Sequence, residues 1–183
     1  MDDAAKVAPA PGYRFIKCTY YPPQTCRILA SETGVHMAKF KHSVTIDRPV
    51  SEVFQYITNV ENLPEWAEVI QSVRVTTPDA VDVGTEAEVE VELYSRRVVA
   101  TYRVTEYERD RIFAFETADA PFDLYSVYTF TPIKDGTWLH VTSTGKARGI
   151  SRFIEGSVAR LLDRQFIADH ERLKHILEEN HTA

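Results

Sequence analysis

Residues 40–70 read FKHSVTIDRPVSEVFQYITNVENLPEWAEVI, and this stretch constrains the fold more than any other. Lys39–Ile46 predicts a strand. Pro49 then marks a helix start, with Ser51 as N-cap and Glu52 in the first turn. Val53, Phe54, Ile57 and Val60 recur at helical spacing and form one apolar face. Pro64 breaks that pattern and sets off a second short helix that ends at Trp66.

After Trp66 the apolar period changes to two. Glu86–Leu93 reads EAEVEVEL, which puts Ala87, Val89, Val91 and Leu93 on one face and Glu86, Glu88, Glu90 and Glu92 on the other. Further strands are predicted over Arg97–Tyr107, Arg111–Thr117, Leu124–Thr131 and Thr137–Thr144, with Asp135-Gly136 as the last hairpin. Short connections between successive strands predict an antiparallel meander. The break at Tyr94-Ser95-Arg96 predicts a two- or four-residue hairpin loop, with Leu93 opposite Val98, Val91 opposite Ala100, Val89 opposite Tyr102 and Glu88 opposite Arg103 for either length. One long helix is expected to close the chain, from Ile150 to Glu179, about 45 Å at 1.5 Å per residue. Its stripe is Ile150, Phe153, Ile154, Val158, Leu161, Leu162 and Phe166, resumed by Leu173, Ile176 and Leu177, with Asp169 or His170 in the seam between.

Residues 1–36 read differently. They hold Pro9, Pro11, Pro22 and Pro23 and no sustained periodicity, so this extension is expected to be disordered or loosely docked, with the body spanning 37–183 and Met37 as an alternative start. The counter-reading packs Tyr13, Phe15, Tyr20 and Tyr21 on the body as an added strand.

Charge and cysteine content narrow the function classes. The net charge is −6, and Lys6, Arg14, Lys17 and Arg27 against Asp2, Asp3 and Glu32 leave the first 37 residues slightly positive. The acidic excess therefore lies in the body, which argues against binding nucleic acid. No apolar run reaches the roughly 20 residues that span a bilayer. The acidic start lacks a secretory pattern, so the expected location is the cytoplasm, where Cys18 and Cys26 stay reduced. The histidines show no metal-ligand spacing and GxSxG is absent, so neither a metal, a cofactor nor a nucleophilic triad is expected. The four glutamates read as a solvated strand face. The oligomeric state is not legible.

VTIDRPVSEVFQYITNVENLPEW, VGTEAEVEV, TYRVTEYERDRIFAF, YTFTPIKDGTWLHV and the long helix, taken in that order, resemble the START and birch-pollen-allergen superfamily, and within it the polyketide cyclase/dehydrase-like branch. The resemblance covers about residues 39–180. It implies an α+β helix-grip fold: a seven-stranded antiparallel sheet around the C-terminal helix, two short helices between strands one and two, and an apolar cavity between sheet and helix. It implies no catalytic residues, because the superfamily has no universal catalytic motif.

Candidate ligand contacts follow from the inner faces. They are Val89, Val91 and Leu93, then Tyr102, Phe113 and Phe115, then Tyr128, Phe130, Leu139 and Val141, with Leu162, Phe166 and Asp169 from the helix and Trp66 near the mouth. Tyr102 on an apolar face needs a partner for its hydroxyl or must be hydrated. Asp169 facing an apolar space would have a raised pKa and could serve with Tyr102 as a general acid or base. Asp169 also reads as a stripe-edge residue paired with Arg172 or Arg103. The leading expectation is a binder of a hydrophobic small molecule such as a lipid, polyketide or quinone. The alternatives are a polyketide cyclase or dehydratase, and a protein-interaction module with an aromatic N-terminal segment.

Overall fold

The computed structural model describes residues 13–15, 29–31, 38–77, 80–93, 96–118, 122–147 and 155–179. The chain forms two compact units, Met1–His36 and Met37–Ala183. In the first, β1 (Tyr13–Phe15) pairs antiparallel with β2 (Leu29–Ser31), Phe15 opposite Leu29. The remaining expectations for this segment, including Tyr20 and Tyr21, lie outside the described residues, as does Met37.

The second unit runs β3 (Ala38–Ile46), α1 (Val50–Thr58), a 3-10 turn (Val60–Asn62), α2 (Leu63–Trp66), β4 (Ile70–Val75), β5 (Glu86–Leu93), β6 (Arg96–Glu108), β7 (Ile112–Ala118), β8 (Phe122–Ile133), β9 (Gly136–Ala147) and α3 (Glu155–Glu179). The strands form one seven-stranded sheet in the order β3-β9-β8-β7-β6-β5-β4, with every neighbouring pair antiparallel. This is the helix-grip architecture, with two short helices between the first and second strands of the sheet.

Local chemistry accounts for the elements and for three departures from expectation. In α1, Val53, Phe54 and Ile57 are buried as their spacing requires. The N-cap is Pro49 rather than Ser51: Pro49 sits at φ −54° and ψ 141°, and its carbonyl accepts from the amides of Glu52 and Val53. The ring already fixes a suitable φ, so the helix starts before Ser51 can cap it. Strand β4 had no alternation to announce it, because a bulge between Ile70 and Ser72 breaks the period and re-aims the side chains.

The β5–β6 register differs by two residues from the expected one. Val91 faces Val98, Val89 faces Ala100, Ala87 faces Tyr102 and Glu86 faces Arg103. Only Tyr94 and Ser95 separate the strand ends, so Leu93 aligns with Arg96, whereas the expected alignment needed a four-residue loop. A shift of two keeps every side chain on its face, so face matching alone could not tell the two registers apart. Arg103 therefore bonds Glu86 at 2.8 Å, while Glu88 pairs with Arg74 and Glu90 with Arg97. The glutamate row is a solvent-side face laced with ion pairs, each worth little by itself.

Strands β3 and β9 approach closely at their ends. A Cβ on Gly136 would lie 2.3 Å from the Ile46 carbonyl oxygen, so only glycine fits there.

The inner face of the sheet holds α3 through its C-terminal half, where His170, Leu173 and Leu177 are buried. The stripe is not buried along its whole length, since Leu161 is 55% and Leu162 39% exposed. Periodicity reports which face of a helix is apolar, not how far along it the sheet reaches. Ile150, Phe153 and Ile154, and the side chain of Val158, lie outside the described residues.

The far end of α3 is fastened to the β3–α1 connection. Arg48 donates from Nε to the Leu177 carbonyl at 2.7 Å and from Nη2 to the Glu178 carbonyl at 2.8 Å. The Asp47 amide donates to Glu178 Oε1 at 2.9 Å, and Lys174 Nζ to the Thr45 carbonyl at 2.7 Å. Terminal helix carbonyls lack intrahelical partners and favour a nearby cation. Arg48→Ala is therefore expected to lower stability by about 1.5–3 kcal/mol, the range for hydrogen bonds to a charged group. Arg48→Lys should recover little, because an ammonium lacks the planar fork that spans both carbonyls. Urea unfolding midpoints check both variants.

Candidate functional site

The space between the sheet and α3 is where the predicted side chains converge. Val89 and Val91 of β5, Tyr102 of β6, Phe113 and Phe115 of β7, Tyr128 and Phe130 of β8, and Leu139 and Val141 of β9 are all buried in one apolar cluster with Trp66 of α2. Phe166 packs against it partly buried, and Asp169 is buried. Leu162 stands apart, exposed to solvent, and the side chain of Leu93 lies outside the described residues. Strand alternation accounts for this convergence: neighbouring antiparallel strands in matching phase bring their inward residues side by side.

The aromatic rings form a ladder. Tyr102 stacks on Phe115 with centroids 4.2 Å apart at 25°, and Phe115 lies 6.1 Å from Tyr128 at 27°. Burial raises the pKa of both tyrosines well above the ordinary phenol value. A smaller rise comes from Tyr128 in the case of Tyr102, and from Asp169 in the case of Tyr128. Both therefore stay protonated at neutral pH. The Trp66 indole N–H is buried without a partner among the described residues.

His170 lies at the centre of the polar groups. Its Nδ1 is 2.7 Å from the Phe166 carbonyl oxygen, and its Nε2 is 3.2 Å from the Tyr128 hydroxyl. Rings surround it: Phe166 at 4.4 Å, Trp66 at 5.5 Å, Tyr128 at 5.7 Å and His42 at 5.9 Å. Burial pushes its pKa down to about 4; the bond to Phe166 offsets part of that fall and His42 adds to it. At neutral pH the ring is uncharged.

Asp169 is tied to the segment after α2. Its Oδ1 accepts from the Glu68 amide at 3.2 Å and from Gln165 Nε2 at 2.9 Å. Burial raises its pKa, while these bonds and the Arg172 charge pull it back. Of the two partners expected for a stripe-edge Asp169, Arg172 is near and Arg103 is bonded to Glu86 on the other face.

Two contributors were not among the sequence candidates. His170 entered only as the alternative to Asp169 in the helix seam. His42 was missed, although the alternation Phe40, His42, Val44, Ile46 places it on the inner face. His140 faces outward, bonded to Ser43 at 2.7 Å and stacked on Trp138. Among the described residues no group of three or more His, Cys, Asp or Glu could hold a metal ion, and no helix is long and apolar enough to cross a membrane. A separate open cleft of about 650 Å³ runs between α1 and the β4–β5 connection, lined by Glu52, Gln55, Tyr56, Asn59, Val81 and Tyr107 among others.

Comparison with known proteins supplies the context. The family described as polyketide cyclase / dehydrase and lipid transport matches residues 37–178. No curated protein sequence matches the chain. The fold is shared with TTHA0849 from Thermus thermophilus, at 16% identity and a TM-score of 0.66 over 79% of this chain and 99% of that one. It is shared with the Zhui aromatase/cyclase from Streptomyces sp. R1128, at 17% identity and a TM-score of 0.64 over 81% and 98%. A START superfamily protein from Mycobacterium smegmatis matches at 13% identity and a TM-score of 0.64 over 78% and 98%.

Proposed function

Because the chain belongs to the polyketide cyclase / dehydrase and lipid transport family, we propose that it binds a hydrophobic small molecule, of lipid, polyketide or quinone type, between the sheet and α3. The observation that carries this reading is an unused polar group in an apolar interior. The Trp66 indole N–H is buried without a partner among the described residues. An unsatisfied buried donor costs about 1–3 kcal/mol, a cost that a ligand oxygen would remove. Apolar burial against Phe115, Phe130 and Val141 would supply most of the affinity, at about 25 cal/mol per Å².

Native mass spectrometry of the purified protein tests the reading. The expected spectrum shows a reproducible small-molecule adduct that gentle activation releases. Tyr102→Phe should weaken retention by roughly five- to tenfold, the worth of one neutral hydrogen bond. An adduct-free spectrum, together with no thermal shift from a panel of quinones, polyketide fragments and fatty acids, would count against it.

A second reading, a cyclase or dehydratase, draws support from the Tyr128–His170 contact. That contact offers a bound polyketone a phenol backed by a neutral imidazole, a pair able to move a proton. In this reading Tyr102 and Tyr128 would take the acid/base role, with Asp169 as a further candidate whose bonds to Glu68 and Gln165 restrain it.

A further inference from the structure

We infer that His170 is a positioning residue that turns the Tyr128 hydroxyl into an acceptor toward the interior, so that the bound molecule presents a hydrogen-bond donor there: a phenol, enol or alcohol rather than a ketone, ether or carboxylate. This inference rests on the binding reading above and specifies the chemistry of the ligand's polar end.

The placement of three protons fixes the direction of each bond. A peptide carbonyl only accepts, so the 2.7 Å contact between His170 Nδ1 and the Phe166 oxygen places the ring hydrogen on Nδ1. A neutral imidazole carries one ring N–H, so Nε2 is then an acceptor. The group 3.2 Å from Nε2 is the Tyr128 hydroxyl, which must donate. A phenol has a single hydrogen, and once that is committed only oxygen lone pairs remain for another partner. The backbone of α3 thus sets, through one imidazole, the polarity that β8 offers to the interior.

The other groups nearby complement this. Trp66 Nε1 can only donate, and its ring borders the same imidazole as Tyr128 does, at 5.5 Å against 5.7 Å. A hydroxyl is the group that can donate to Tyr128 and accept from an indole. No lysine or arginine is among the buried side chains of the described residues, whereas Asp169 is. A ligand carboxylate would find no counter-charge there and could not donate to Tyr128.

Two measurements test the inference. The first needs no ligand. The ¹⁵N shifts of the His170 ring should identify the neutral Nδ1–H tautomer, and an Nε2–H tautomer would overturn the inference. The second uses 2-naphthol and 2-methoxynaphthalene, which differ in the donor, titrated calorimetrically into the full chain. Wild type should prefer 2-naphthol by about tenfold, the worth of one hydrogen bond. His170→Leu releases the Tyr128 proton to face the ligand, and the preference should fall to within about twofold, as it should in Tyr128→Phe, which keeps His170. A preference of unchanged size in both variants would overturn the inference while leaving the binding reading intact. If neither probe binds wild type, the binding reading fails for planar ligands, and the inference fails with it.

Discussion

Phe113→Ala is expected to destabilise the fold by about 3–5 kcal/mol, the range for truncating a buried phenylalanine. Phe113 is 1% exposed and is the largest of the fully buried side chains among the described residues. It sits opposite Tyr107 on β6 and Tyr128 on β8. Its ring meets Tyr107 edge-on at 6.2 Å and lies 6.3 Å from Phe115 and 6.4 Å from Tyr128. Truncation would remove the transfer free energy of the ring and strand three aromatic neighbours around a void. Against a typical total of about 5–15 kcal/mol this is a large share. The urea midpoint should fall with the m-value unchanged. The size of the loss also reports on function. Phe113 was a candidate ligand contact, and a ring bordering open space has fewer packed neighbours to lose. A loss near 1 kcal/mol would place Phe113 on the wall of a cavity, whereas the full loss places it in packed core.

The same residues show why the fold was legible and the site only partly so. Alternation in EAEVEVEL and in Leu139–Val141 states which side chains face inward, because the strand period is two and one face must be buried. That logic put Tyr102 and Tyr128 on the inner face without any structure, and both are buried in the core cluster. It is blind to a shift of two residues, and the β5–β6 alignment turned on loop length instead. It is blind as well to β4, where the bulge at Ile70/Ser72 breaks the period. On α3, helical spacing found the seam but could not choose between Asp169 and His170, which differ by about 100° around the axis. Both are buried, and the distinction lies in their partners. Asp169 reaches back to Glu68 and Gln165, while His170 reaches Tyr128, 42 positions earlier in the chain. Hydrogen-bond partners across elements depend on the tertiary fit, and periodicity carries no record of them.

The choice of His170 for the seam has a consequence in acid. The unfolded chain titrates this histidine near the ordinary value of 6.5, and the folded chain holds it at about 4. Between those values the unfolded state binds more protons, so stability falls as pH falls. The contribution is complete above pH 6.5 and is lost by about pH 4. At about 1.36 kcal/mol per pKa unit it amounts to about 3 kcal/mol. The hydrogen bonds could survive protonation, since Nδ1 would still donate to Phe166 and Tyr128 could turn to accept. What cannot be replaced is water around a charge enclosed by Trp66, Phe166 and Tyr128, with His42 as the titratable neighbour from β3. Ring faces attract a desolvated cation by about 2 kcal/mol or more, yet burial remains the larger effect and keeps the pKa low. Asp169 acts in the opposite sense, because its raised pKa makes the folded state take up a proton first as pH falls. Urea unfolding at about pH 7, 5.5 and 4.5 should therefore show a steep loss for wild type. His170→Leu removes the titrating ring and should show a clearly shallower slope, with the Asp169 contribution left in place. Equal slopes in the two proteins would mean that His170 reaches solvent in the folded state, contrary to its 1% exposure.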